Sequence, residues 1–197
     1  MKVLWQLDAL RYEVRVTGIL LFGIPLFFAF GMAALAGFLQ LGHVNQSFIH
    51  DVLLAGLEAG LPLTSGIIAA TVATQDPAIE LQLTLPRPYR ITTFSRIALI
   101  LIWTTLISLL STLALHLALP SILPLSFAQE QLIWFAPMLW FTAIGAILAL
   151  LMRNRSTSGA ILGCLWVMQL TFHGYFLATG WTRPWFLFTT LYAPSAS

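Results

Sequence analysis

Long apolar stretches separated by short polar segments dominate the chain, at residues 17–40, 52–73, 97–119, 130–152 and 159–180. A helix rises about 1.5 Å per residue, so each stretch is long enough to cross a hydrocarbon core of about 30 Å. In lipid, a single segment must satisfy its own backbone hydrogen bonds, which a helix does. The pattern therefore predicts an all-α integral membrane protein with five transmembrane helices.

The composition agrees with this class. Hydrophobic residues make up 59% of the 197 positions and charged residues 8%, whereas soluble domains carry about 25% charged residues. The net charge of +2 is too small to indicate a nucleic-acid partner. The single cysteine, Cys164, excludes an internal disulfide and a cysteine metal cluster.

Residues 1–16 alternate apolar and charged positions at helical spacing. One stripe is formed by Val3, Leu7, Leu10 and Val14, and the remaining surface carries Lys2, Asp8, Arg11, Glu13 and Arg15. This pattern predicts an amphipathic helix lying at the membrane interface. A plain charged flank without helical structure is the alternative.

Three polar residues inside the apolar stretches are candidates for a substrate path: Glu58, Gln169 and His173. An ionisable group inside a span is costly unless it faces water or a partner, which makes Glu58 a functional candidate. A position near the membrane interface, about two turns into its stretch, would explain Glu58 equally well. Gln169 and His173 fall one turn apart on one helix face, where they would bond a neighbouring helix or contact a substrate.

Two further patterns concern packing. Glycines at four-residue spacing, Gly56 with Gly60 and Gly159 with Gly163, predict close contacts between helices. The third stretch carries five hydroxyl side chains, which are expected to bond their own helix backbone or a neighbour: Thr104, Thr105, Ser108, Ser111 and Thr112.

The longest polar interruption is residues 76–96, DPAIELQLTLPRPYRITTFSR. Asp76 suits a helix N-cap and Pro77 the first helical position, while Pro86 would end the helix. Ile79 and Leu83 then share one face and Glu80 lies on another. The segment predicts a short helix at the membrane surface that is available to a partner.

The basic residues are distributed unequally between the two sides that five spans create. One side would hold Lys2, Arg11, Arg15, Arg87, Arg90, Arg96, Arg153 and Arg155, and the other side only Arg183. Short loops rich in Lys and Arg remain in the cytoplasm. The pattern therefore predicts a multi-pass protein of the plasma (inner) membrane with a cytoplasmic N-terminus and a cytoplasmic 76–96 segment.

Enzyme chemistry has little support in the sequence. No HExxH, paired-acid or Ser/His/Asp arrangement converges on one membrane face. The loop histidines His43 and His50 lack the further ligands that a metal site needs, so solvated side chains are the expected reading. No GxxxxGK[ST] phosphate-binding loop occurs. The chain is expected to have no catalytic residue, cofactor or metal of its own.

The stretch from Glu80 to Pro86, ELQLTLP, followed by the basic residues Arg87 to Arg96 and the third span, resembles the membrane subunit of ABC-2 type transporters. That family has a similar signature between its second and third spans, and an elbow helix before the first, which the segment around Arg11, Glu13 and Arg15 resembles. The family usually has a sixth span, and this sequence ends at Ser197 without one.

The resemblance implies a permease subunit of an ATP-driven transporter. The 76–96 segment would be the coupling helix that docks on a separate ATPase chain, which would bind ATP and Mg²⁺. The docking residues would be Asp76, Pro77, Ile79, Glu80, Leu83, Pro86, Arg87 and Arg90. A second permease copy, identical or homologous, would complete the path, and the apolar interior favours a hydrophobic substrate. The alternative is a non-transporting membrane scaffold or assembly subunit.

Overall fold

A computed structural model of the protein describes residues 19–74, 89–118 and 127–188. Two helices precede the first gap, α1 (Ile19–Leu41) and a long helix formed by α2 (Gln46–Ala55), a π-helical turn (Gly56–Gly60) and α3 (Leu61–Thr74). Then follow α4 (Tyr89–Ala118), α5 (Phe127–Met152), α6 (Arg155–Thr171), α7 (His173–Ala178) and a 3₁₀ turn (Arg183–Trp185). The described residues contain no β-strand.

Four of these helices are long and apolar enough to cross a membrane: Leu21–Leu41, Gln46–Thr74, Thr93–Ala114 and Gln131–Met152. The all-α membrane class predicted from the hydrophobic pattern is thereby supported. The number of crossings remains a prediction. The predicted amphipathic helix at residues 1–16 lies outside the described residues.

The second long helix is the centre of the bundle. In its most apolar window 61% of the residues are buried, against 11% for α1, which is peripheral. Its α3 part contacts α1, α4, α5 and α6. This position explains why α3 is apolar on all sides rather than amphipathic, since a helix surrounded by other helices has no solvated face.

Close backbone contact joins α3 and α5. A Cβ atom added at Gly66 would lie 2.9 Å from the Phe141 carbonyl oxygen, and one added at Gly145 would collide with the Gly66 carbonyl oxygen. Beside this crossing, the Thr142 hydroxyl donates to Ser65 Oγ at 3.2 Å. Without a hydrophobic driving force between helices in lipid, such close packing of small residues supplies the attraction.

Tight turns connect α1 to α2 and α5 to α6, and each contains a residue with positive φ. His43 has φ 52° and Arg153 φ 50°. Each turn ends in an asparagine that caps the next helix: Asn45 Oδ1 accepts from the Ser47 amide, and Asn154 Oδ1 from the Ser156 amide. Turns this short place consecutive helices side by side and antiparallel.

The ends of three helices meet at one end of the bundle, where Ala73 of α3, Ile97 of α4 and Ala149 of α5 belong to one apolar cluster. Arg96, Arg153 and Arg155 therefore lie at the same end, as the sequence predicts. Arg183 lies at the other end, beyond α6. The structure thus groups the basic residues that it describes as predicted. The cytoplasmic location of this end stays a prediction from the sequence.

The predicted fifth span, residues 159–180, is divided into two helices. The helix α6 ends at Thr171, Phe172 interrupts it with φ −98° and ψ 23°, and α7 continues only to Ala178. Gly174, Gly180 and Pro184 disfavour a continuous helix here. The chain then reverses and returns into the bundle.

Two phenylalanines anchor this returning segment. Phe186 and Phe188 are buried, and the Phe188 ring stacks on Phe141 of α5 with centroids 6.2 Å apart and an interplanar angle of 12°. Phe141 lies near the middle of α5. The segment therefore reaches well into the bundle without crossing it as a helix within the described residues.

Candidate functional site

The π-helical turn lies at the middle of the long central helix and has a local cause. Pro62 lies two residues after its end, and proline cannot donate a hydrogen bond to the carbonyl of residue 58 and clashes with it in a regular helix. The π turn accommodates this by bonding the Leu61 amide to the Gly56 carbonyl, five residues back. Gly56 and Gly60 supply the flexible backbone on both sides.

The π turn presents Glu58 inside the bundle, where only 1% of its surface is exposed. Its neighbours Leu57 and Ala59 are also buried. Trp166 of α6 binds the same turn, because its Nε1 donates to the Ala59 carbonyl at 2.9 Å. Glu58 is therefore an interior residue of the bundle, near the middle of a helix of 29 residues.

The glycines flanking Glu58 pack closely against α1, as their spacing predicts. A Cβ atom at Gly60 would lie 3.0 Å from the ring of Phe28, and one at Gly56 would collide with the end of the Met32 side chain. The second glycine pair behaves differently, because added Cβ atoms at Gly159 and Gly163 would meet nothing within 4 Å.

A stripe of buried polar side chains runs along α4: Thr93, Arg96, Thr104, Ser108 and Thr112. Their spacing of three, four or eight residues places them on the face directed at the bundle. Three of the predicted hydroxyls, those of Ser108, Ser111 and Thr112, bond the preceding turn of α4, whereas that of Thr104 does not. Ser108 donates to the Thr104 carbonyl at 2.7 Å and Ser111 to the Ile107 carbonyl at 2.7 Å.

Thr112, one member of the stripe, connects α4 to Gln131 of α5. Gln131 Nε2 donates to Thr112 Oγ1 at 3.0 Å, and Gln131 Oε1 accepts from Trp134 Nε1 at 3.1 Å. In contrast, the buried Thr104 hydroxyl has no hydrogen-bond partner in the described part of the chain. The interior of the bundle thus contains both a satisfied polar bridge and an unsatisfied hydroxyl.

Gln169 has a structural role that its sequence position did not reveal. Its Nε2 donates to the Trp185 carbonyl at 3.4 Å, and its Oε1 accepts from the Leu187 amide at 3.4 Å. The side chain therefore holds the backbone of the returning segment. His173 lies beyond the helix break, and its Nδ1 is 2.9 Å from the Leu170 carbonyl oxygen.

The predicted docking residues are almost entirely outside the described part of the chain. Asp76, Pro77, Ile79, Glu80, Leu83, Pro86 and Arg87 belong to the gap between α3 and α4. Arg90 lies in the first turn of α4. The structure adds that α4 begins at Tyr89, well before the predicted start of the third span at residue 97.

Two neighbouring hollows were not foreseen from the sequence. An apolar cleft of about 460 Å³ separates α1 from α4, and a polar hollow of about 460 Å³ lies at the α1–α2 turn. The stripe of small residues on α1 is visible in the sequence. Its facing partner on α4, however, depends on how the two helices pack. Among the described residues, no three His, Cys, Asp or Glu side chains come together as a metal site.

Comparison with protein-family models, with curated proteins and with solved structures finds no match for this chain. The class that the fold defines is therefore a helical membrane protein with a buried acid in its central helix.

Proposed function

We propose that this chain is the membrane subunit of an ATP-driven transporter of the ABC-2 type, which moves a hydrophobic substrate across the plasma membrane. The observation that carries the proposal is Glu58, a buried acid on a π turn at the middle of the central helix. Ionisable groups inside a membrane bundle typically mark a transport path, and π turns occur frequently at functional sites. A purely architectural subunit has no need for either.

A route for mechanical coupling supports the same proposal. The 76–96 segment follows α3 and includes the first turns of α4, and α4 runs without interruption from Tyr89 to Ala118. A partner that displaces the segment would therefore move α4 as a rigid body. The helix α4 contacts α1 through Trp103, whose Nε1 donates to the Phe22 carbonyl at 3.0 Å, and α5 through Thr112 and Gln131. Movement of α4 would therefore change its distance from α1 on one side and from α5 on the other.

In this proposal ATP and Mg²⁺ bind to a separate ATPase chain, and closure of two ATPases biases the bundles between two arrangements. Two permease copies line the substrate path. Glu80 docks on the ATPase, because anionic headgroups would repel an acid on a helix that only lay on lipid. Loss of one partner of such an interfacial charge pair typically costs about 2–5 kcal/mol.

The experiment is purification of the tagged full chain in mild detergent, followed by identification of a co-purifying ATPase and measurement of ATP hydrolysis in liposomes. Glu80→Ala is expected to weaken the association or to uncouple hydrolysis, with unchanged membrane insertion. Gln82→Ala, two residues away in the same segment, is the matched control and should leave both unchanged.

Normal association and normal hydrolysis in Glu80→Ala would refute the coupling assignment. Purification without any ATPase would favour the alternative, a scaffold or assembly subunit.

A further inference from the structure

The apolar cleft between α1 and α4 is long and narrow. Its α1 side is formed by Leu26, Ala33 and Gly37 and its α4 side by Ile107, Ser111 and Ala114, together with their neighbours. The lining extends from Leu26 to Gln40, about 21 Å at about 1.5 Å per residue. This length exceeds the depth of one leaflet, which is about 15 Å of hydrocarbon.

The cleft exists because α1 and α4 touch at one end and carry small side chains at the other. At the closed end, the Phe22 and Trp103 rings meet edge to face with centroids 6.2 Å apart. Toward the open end, alanine and glycine of α1 face Ser111 and Ala114 of α4. These side chains are too short to fill the space between the two helices.

The open end adjoins the polar hollow, because Gln40 lines both. The other polar side chains of this mouth are His43 and Gln46. The turn that carries them is ordered by backbone hydrogen bonds from Gly42 to Phe38 and from Val44 to Leu39. The mouth thus offers hydrogen-bonding groups and the shaft mainly apolar ones. An amphiphile has the same two parts, a polar headgroup and an apolar tail.

The dimensions decide between a lipid tail and a helix as the occupant. A helix is about 10 Å across, so a helical partner of this length would need roughly 1,600 Å³. All the empty space of the cleft, including its open side, is about 1040 Å³, which is less than a helix needs. As a cavity the cleft has about 460 Å³, which falls within the range of about 300–1,000 Å³ typical of small-ligand sites. An acyl chain is thin enough to enter the shaft, whereas a helix is not.

The charges near the mouth indicate the headgroup. Residues 41–50 contain no Lys or Arg, and the next residue is the acid Asp51, whose side chain is largely exposed. A headgroup with a net negative charge therefore finds no cationic side chain in this turn. Amide and imidazole groups suit a headgroup that is hydrogen-bonding and has no net charge.

We propose that the α1–α4 cleft is a specific binding site for a phospholipid with no net charge, with one acyl chain between α1 and α4 and the headgroup at Gln40, His43 and Gln46. Binding at this site does not require ATP-driven transport. The mouth lies at the end of the bundle opposite Arg96, Arg153 and Arg155. On the predicted orientation, the site therefore takes a lipid of the outer leaflet.

The test is photo-crosslinking of the full chain in nanodiscs that contain phosphatidylcholine with a diazirine in its acyl chain. Crosslinked peptides are mapped by mass spectrometry. Labelling is expected to concentrate on residues 29–40 and 107–114. Labelling of the exposed apolar surface of α5, at Ile147, Leu150 and Leu151, serves as the reference for non-specific contact with bulk lipid.

Ala33→Phe should fill the shaft and lower labelling of residues 107–114 about fivefold, equivalent to about 1 kcal/mol. Ala34→Phe is the matched control, because Ala34 is the next residue, is also exposed and does not line the cleft. Ala114→Phe blocks the shaft from the opposite helix and replaces Ala33→Phe if that variant does not fold.

Equal labelling of the cleft and the α5 surface would overturn the site. An equal response of the Ala33 and Ala34 variants would do the same. Stronger labelling by the corresponding phosphatidylglycerol probe would overturn the headgroup assignment. Each readout is obtained without ATP or a partner, so its failure is distinguishable from failure of the transport proposal.

Discussion

At the scale of single residues, two buried threonines of α4 offer a direct comparison. Thr104 and Thr112 are both 1% exposed. The Thr112 hydroxyl bonds to Gln131 on α5, whereas the Thr104 hydroxyl has no partner among the described residues. Removing a satisfied hydroxyl loses a bond and leaves its partner unpaired, but removing an unsatisfied one relieves a desolvation cost.

Thr112→Val is therefore expected to lower stability by about 1 kcal/mol, close to the usual value of an interhelical hydrogen bond in a membrane protein. Thr104→Val, the isosteric control, should be neutral or slightly stabilising. Thermal unfolding of the purified variants in detergent measures both. A larger loss in Thr104→Val than in Thr112→Val would contradict these assignments.

The buried acid Glu58 gives the second prediction at this scale. Glu58→Gln keeps the size of the side chain and removes its charge. If the acid takes part in the transport cycle, coupled ATP hydrolysis of the reconstituted complex should fall about tenfold, within the usual range of coupling free energies of about 1–3 kcal/mol. The folded yield by size-exclusion chromatography should remain similar.

Asp51→Asn is the control for this charge change, because it removes an acid from the exposed start of the same long helix. It should have no effect on hydrolysis. If Glu58→Gln behaves in the same way, Glu58 is a structural residue and the transport proposal loses its main support.

At the scale of helices, the contact between α3 and α5 depends on glycine. Gly145→Ala would force its methyl group into the Gly66 carbonyl oxygen. The backbone cannot move aside as the tip of a side chain can. We therefore expect the free energy of unfolding to fall by about 1–3 kcal/mol, as in other overpacked cores. Gly163→Ala adds the same methyl group on α6 in open space and should be neutral.

Thermal unfolding in detergent again separates the two glycine variants. A similar midpoint for Gly145→Ala and the unsubstituted protein would mean that α3 and α5 do not cross at these positions.

Helix boundaries show where sequence patterns were sufficient and where they failed. The central helix was anticipated because a long apolar run is a strong signal for a span, whereas the sequence left Glu58 compatible with both an interior and an interfacial position. The break at Phe172 was not anticipated, since residues 159–180 are mostly apolar and long enough to form one span. The chain leaves the helix there and returns to bury Phe186 and Phe188 against α5. Hydrophobicity alone does not distinguish a continuous helix from such a return.

At the scale of the whole molecule, the distribution of basic residues predicts the orientation. In a Cys164→Ser background, cysteines placed at Arg87 and Arg153 should react only with reagent from the cytoplasmic side, and a cysteine at Arg183 only from outside. Membrane-impermeant maleimides applied to intact cells and to inverted vesicles make the measurement. Outside labelling at position 87 would contradict the five-span topology.

The sequence by itself determined the class of this protein and most of its helices. Apolar runs of sufficient length must form helices in lipid, because no other single segment satisfies its backbone there. The grouping of Arg96, Arg153 and Arg155 at one end follows from the same runs, since each crossing moves the chain to the opposite side. These are local properties, and a sequence records local properties directly.

Only the tertiary structure decided which groups meet. Gln169 holds the returning backbone and Gly66 contacts Gly145, while a cleft remains between α1 and α4. The partners in each case come from different helices, and their pairing depends on the angle and spacing at which those helices pack. Side-chain size along one helix does not specify the facing helix, so a sequence pattern predicts the stripe but not the contact.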